Sequence, residues 1–205
     1  MTKPWEHEPD ALDFEAEGLP CAMRRNHHGV WCGYVGVAAD HPLFGLPINH
    51  PLKLPPEWFA SRRGLEGTSA LDLFAHALMN GGAIHEACPI SIAMQVHGGV
   101  NFSDISPPGS DDATGRWWFG FDCGHAGDYL PAFDGFDRTI VAKLPKRMPA
   151  PMRLAIERIM ADAIYRDRQY VVGECQSLAA QLVAIVAVIQ KMRITSGETD
   201  GSEAR

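Results

Sequence analysis

The strongest constraint on this chain lies near its end. Val171, Cys175, Leu178, Leu182, Ile185 and Ile189 follow one another at steps of four, three, four, three and four residues. That spacing places six apolar side chains on one stripe of an α-helix, and such a stripe has to be buried against a partner surface. No proline follows Pro151 and only Gly173 interrupts, so the whole span from Ala150 to Arg193 is predicted as helix. The seam covers fewer than three heptads, which is short for an isolated coiled coil. It is therefore expected to lie on a sheet of the same chain, with a homodimer through 171–189 as the alternative.

The sheet comes from runs of β-branched and aromatic residues. The first carries Val30, Cys32, Tyr34 and Val35 and is bounded by Gly29 and by the turn Asp40-His41-Pro42. The second is "ISIAMQVHGGVNF", where Ile90, Ile92, Met94 and Val96 alternate with Ser91, Ala93 and Gln95. The third, "RWWFGFD", runs from Arg116 to Asp122, and "FDRTIVAKLP" from Phe136 reads as a short fourth. Between the first two, 42–67 is a proline-rich loop, and Ser69 to Asn80 is a helix capped by Ser69 with Asp72 and stopped by Gly81. No helix long enough for a parallel crossover separates 90–103 from 115–122. The fold class is α+β: a small, mainly antiparallel sheet covered by a short helix and a long C-terminal helix.

Charge divides the chain further. Residues 1–20 hold six acidic side chains against Lys3 and read as an acidic N-terminal arm. Residues 21–194 read as a single α+β domain and 195–205 as a disordered polar tail. Residues 138–168 carry eight Lys and Arg against three acidic residues, within a chain of net charge −7. These cations are interleaved with core-type residues and no nucleic-acid motif accompanies them, so nucleic acid is an unlikely partner. The N-terminal residues lack the apolar core of a secretory leader and the longest apolar run is too short for a membrane span, which predicts a cytoplasmic protein without membrane association. The five cysteines form no C-x-x-C pair and are expected as free thiols.

Residues suited to chemistry gather where strands end. His27 and His28 open the first strand, His41 follows it, and His97 sits in "VHGG". Asp122, His125 and Asp128 lie three and three apart in a turn with Gly124 and Gly127, a spacing that lets two carboxylates and an imidazole converge on one cation. The spacing matches no established zinc or calcium motif, and a turn whose carboxylates merely accept backbone N–H groups is the competing reading. His97 is a candidate acid or base. Gly98 and Gly99 permit close approach of a ligand, and Trp118 is a candidate ligand-binding residue beside them. Cys32, Cys123 and Ser103 are the available nucleophiles, none in a recognised context. Whether His97 and the 122–128 turn meet depends on the strand order, which the spacing leaves open.

In fixed order, "CGYVGV" followed by "HP", then "VHGG", "WWFGFDCGHAGD" and "YRDRQYVVGECQSLAAQL" resemble a recurrent family of bacteriophage and prophage proteins that carry no assigned function. The resemblance covers roughly 18–185 and departs from the family in the proline-rich stretch 42–67. It implies that the stretches at 97–99 and 122–128 matter, that the chain originates in a mobile element, and that it acts in the host cytoplasm. The expected function is an accessory protein that binds a host or phage partner or a small ligand, interfering with a host (defence) system. The alternative is a small metal-dependent hydrolase holding zinc or manganese at Asp122, His125 and Asp128.

Overall fold

A computed structural model describes residues 3–60, 88–110, 114–134 and 148–196, and the account is of those residues. The chain opens with β1 (Ala11–Ala16), β2 (Leu19–Arg25) and β3 (Trp31–Val37), then β4 (Pro51–Leu52), α1 (Pro56–Ala60), β5 (Cys88–Pro89) and α2 (Ile90–Ala93). It closes with β6 (Phe102–Asp104), β7 (Trp117–Asp122), α3 (Ala150–Ala161) and α4 (Arg168–Ser196). The main sheet is antiparallel throughout, in the order β1-β2-β3-β7-β6, while β4 and β5 form a separate pair. The fold class is α+β, as the apolar periodicities require.

The acidic start is not an arm but the first strand. Leu12, Phe14 and Ala16 alternate with Asp13 and Glu15, and the apolar set packs against the core. Glu17 and Gly18, both at positive φ, close the β1–β2 hairpin. Net charge drew attention away from a period-2 pattern that decides the structure.

Every residue of β3 is buried, and α4 lies across it. Val171, Cys175, Leu178, Leu182 and Ile185 are fully inaccessible there, so the heptad-like seam is spent on the chain's own core. Gly33 sits beneath the helix because a Cβ would come within 2.6 Å of the Phe121 ring and 2.7 Å of Cys175 Sγ. Burial of each large aliphatic residue in this contact contributes about 1.5–3 kcal/mol. By length and composition α4 would suffice to cross a membrane.

The predicted continuous helix from Ala150 is instead two. It breaks at 162–167, not at Gly173, which lies inside α4. The Asp167 carboxylate accepts the Tyr170 amide at 2.8 Å, an N-cap that restarts the helix.

The predicted strand at 90–103 is also replaced over most of its length, here by α2 and an irregular segment, and only its end at Phe102 and Ser103 is strand, in β6. The reason is where its backbone finds partners. Gln181 of α4 accepts the Gln95 amide and donates to the Gln95 carbonyl, both at 2.7 Å. Glu174 accepts the His97 amide at 2.7 Å. Two polar side chains of α4, Glu174 and Gln181, thus do for these backbone groups what a neighbouring strand would have done. Replacing Gln181 with leucine is expected to destabilise the protein by about 1–3 kcal/mol, because both Gln95 groups lose their partner; urea unfolding checks it. The predicted helix 69–80 and strand 136–145 lie outside the described residues, as does the loop 42–67 beyond Ala60.

Candidate metal centre

The β6–β7 register settles whether the two polar motifs meet. Phe102 pairs with Gly120, and the Asn101 amide donates to the Gly120 carbonyl at 2.9 Å. Residues just before β6 therefore stand beside the exit of antiparallel β7. Because "VHGG" precedes a strand rather than ending one, His97 arrives next to the 122–128 turn.

That turn is built from local hydrogen bonds. Asp122 accepts the Gly124 amide at 2.8 Å through Oδ1, and the Asn101 side-chain amide through Oδ2. The Asp128 amide donates to the His125 carbonyl at 3.0 Å. The break between α3 and α4 docks alongside: Tyr129 N donates to Ile164 O, and Ile164 N to Gly127 O, each at 2.9 Å. Through this pairing Arg166 is brought over Asp128.

Asp128 is the centre, its carboxylate only 2% exposed. His97 Nε2 lies 2.6 Å from Asp128 Oδ2, the His125 amide donates to that oxygen at 3.0 Å, and Arg166 Nε donates to Oδ1 at 2.9 Å. On the far side of the His97 ring, Nδ1 meets the Tyr170 hydroxyl at 2.9 Å. His125 Nδ1 stands 3.8 Å from Asp128 Oδ2 and 3.9 Å from Asp122 Oδ1. One ligand atom from each of His97, His125 and Asp128 lies within 4.8 Å of the other two.

The electrostatics follow from these contacts. Burial alone would raise the Asp128 pKa, but the hydrogen bonds from His125, His97 and Arg166 outweigh it and hold the carboxyl well below the usual range. Burial, helped by the Glu174 charge, pushes the Tyr170 phenol up to about 12, so it stays protonated. With Asp128 ionised, Nε2 of His97 donates to it, and the Tyr170 hydroxyl can either donate to Nδ1 or accept from it. Coordination of a cation through Nε2 requires the other tautomer, in which Nδ1–H donates to the Tyr170 oxygen. A hydroxyl serves either role.

Of the residues singled out in the sequence, His97, His125 and Asp128 come together. Asp122 borders the group with its oxygens taken by the Gly124 and Asn101 amides, and the three residues whose ligand atoms converge are His97, His125 and Asp128. Gly98 has φ +68°, and a Cβ there would come within 2.0 Å of His125 Cε1; Gly99 has φ +83°. Gly98→Ala is expected to fold with a penalty of about 1 kcal/mol, while displacing His125 and weakening any bound ion, read by metal titration and circular dichroism together. Trp118 is not in this site. It alternates with Phe119 and Phe121 and faces the other side of the sheet, with Ala22, Cys32 and Tyr34. There it lines a cavity of about 400 Å³ together with Arg24 and Arg116.

His41 is structural, with Nε2 2.9 Å from the Leu182 carbonyl and Nδ1 accepting the Leu43 amide. The candidate thiol nucleophiles fail on burial. All five cysteines are buried and free; burial pushes the Cys32 thiol up to about 11 and the Cys123 thiol further. The native protein at pH 8 is therefore expected to leave its thiols unmodified by Ellman's reagent over minutes, and to react fully once unfolded. Arg166, Tyr170 and Glu174 escaped sequence reasoning. Tyr170 and Glu174 lie four apart on α4 beside the apolar seam, while Arg166 sits in the break before it, and only the fold reveals that all three face inward.

Comparison with protein-family models, curated proteins and solved structures gave no match.

Proposed function

We propose that this chain is a small metal-dependent hydrolase whose divalent ion, zinc or manganese, is held by His97, His125 and Asp128. The observation that carries the reading is the division of labour within each ligand. Inner atoms converge, while the outer atoms of two ligands are already held: His97 Nδ1 by Tyr170, and Asp128 Oδ1 by Arg166. Metal centres recurrently show such outer partners, which fix the tautomer and aim the ligand. Two imidazoles and one carboxylate would leave a coordination position for water, whose pKa a divalent cation held there would lower toward neutrality. His125, about one-third exposed, borders the side from which solvent and substrate would enter.

The His97–Asp128 separation of 2.6 Å is a hydrogen-bond distance, so coordination requires the two groups to open by a few tenths of an ångström. The test is elemental analysis by plasma mass spectrometry of protein purified without a histidine tag. About one equivalent of metal, lost in a His97→Ala/His125→Ala variant that keeps its circular dichroism spectrum, is the expected result. Absence of metal after reconstitution, or uptake unaffected by the double substitution, contradicts it. The accessory role towards a host or phage protein, which rests on motif resemblance, would then be the better account.

A further inference from the structure

We infer that the substrate of this centre carries an oxyanion, a phosphate ester, and that Arg166 is the residue that receives it; this rests on the metal-centre reading above. Arg166 is anchored by one nitrogen alone. Its Nε donates to Asp128 Oδ1, and its guanidinium lies 4.8 Å from the Tyr170 ring centroid. Both terminal Nη groups are without a hydrogen bond to any described residue, and the side chain is one-quarter exposed. A guanidinium held at its Nε edge beside Asp128 and stacked on a ring is fixed in orientation, with its terminal fork unbonded and partly open to solvent. That fork matches two oxygens of one anion, which an ammonium group cannot do.

The position explains the choice of phosphoryl over a neutral ester. Arg166 and the proposed ion sit on opposite oxygens of the same carboxylate, so a group bound to the ion through one oxygen can reach the fork with another. A cation and a bidentate guanidinium together neutralise the charge that builds on a phosphoryl group during in-line attack by water. In such a hydrolysis the oxygen of a water molecule would form the new P–O bond, the ester P–O bond would break, and the proton given up by that water would end on the leaving alcohol.

The experiment is calorimetric titration of inorganic phosphate into zinc-loaded wild type and zinc-loaded Arg166→Gln, with metal content measured on both. Loss of two charge-assisted hydrogen bonds is expected to weaken phosphate binding about 10- to 100-fold while the metal is retained. Equal affinity in the two proteins, with metal retained, overturns the inference. Should Arg166→Gln lose its metal or its fold, the wild type decides. Hydrolysis of bis(4-nitrophenyl) phosphate with competitive inhibition by phosphate upholds it, whereas turnover of 4-nitrophenyl acetate alone, insensitive to phosphate, overturns it. Should wild type take up no metal, the hydrolase reading falls separately. Phosphate binding to the metal-free protein that depends on Arg166 then keeps the anion site, and none removes it.

Discussion

Replacing Asp128 with alanine is expected to lower stability by about 3–5 kcal/mol, the usual cost of stripping the partner from a buried ion pair. Three donors lose their acceptor at once: His97 Nε2, the His125 amide and Arg166 Nε. Only the last can turn readily to water. For a chain of this size the melting temperature should fall by on the order of 10 °C. Asp128→Asn separates structure from chemistry. It keeps an acceptor for Arg166 or for His97 but not the charge, so it should cost less stability than alanine while still losing most metal affinity. Thermal unfolding and metal titration of both variants check this.

The second large effect is expected at Glu8, a residue the sequence did not single out. Its Oε2 accepts from Arg25 at 2.7 Å, Trp31 Nε1 at 3.0 Å and the Tyr165 hydroxyl at 2.7 Å, while Oε1 accepts the Arg168 amide at 2.9 Å. One carboxylate thereby ties the N-terminal segment to β2, to β3 and to the first turn of α4. It also fixes Tyr165, the neighbour of Arg166. Trp5 reinforces the joint, its ring 4.9 Å from Tyr129 and 5.1 Å from Tyr165. Glu8→Ala leaves the nearly buried Arg25 without its closest counter-charge and is expected to destabilise by about 2–4 kcal/mol. Glu8→Gln, which keeps the acceptor oxygen, should recover part of that. Urea midpoints of the two variants decide, and indifference to both would show that the joint bears no weight.

Both carboxylates also set the acid limit of stability. Burial works to raise the Glu8 pKa, but hydrogen bonds from Tyr165, Arg168 and Trp31, with the Arg25 charge, bring it below the ordinary value. Asp128 is depressed further. Groups whose folded pKa lies below the unfolded one stabilise the fold above the unfolded value, about 4 for these residues, and lose that contribution as pH falls through the folded value. Stability should thus be flat towards neutrality and fall below about pH 4. The fall should be shallower in Asp128→Asn, which has one titrating group fewer; urea midpoints across that range test it.

How much of this was readable beforehand depended on whether a pattern was local. The α4 seam and the alternation in β7 are periodic and specify a helix lying on a sheet. Leu12, Phe14 and Ala16 are equally periodic, but their acidic alternates made charge the louder signal. The 90–96 run alternates as a strand should, yet its backbone bonds to Gln181 and Glu174, roughly 80 residues away. No local rule reports such a partner. The site divides likewise: His97, His125 and Asp128 stood out by residue type and by neighbouring glycines. Arg166 and Tyr170 read as interior residues of one long helix, whereas the break between α3 and α4 at 162–167 sets Arg166 against Asp128 and Tyr170 against His97.

Whether His97, His125 and Asp128 share one ion is read most directly by X-ray absorption at the zinc edge of reconstituted protein. The expected first shell is nitrogen and oxygen at about 2.0–2.2 Å, with the outer-ring signature of two imidazoles, falling to one in His125→Ala. A shell containing sulfur, a single imidazole in the wild type, or a fully hydrated ion would contradict it.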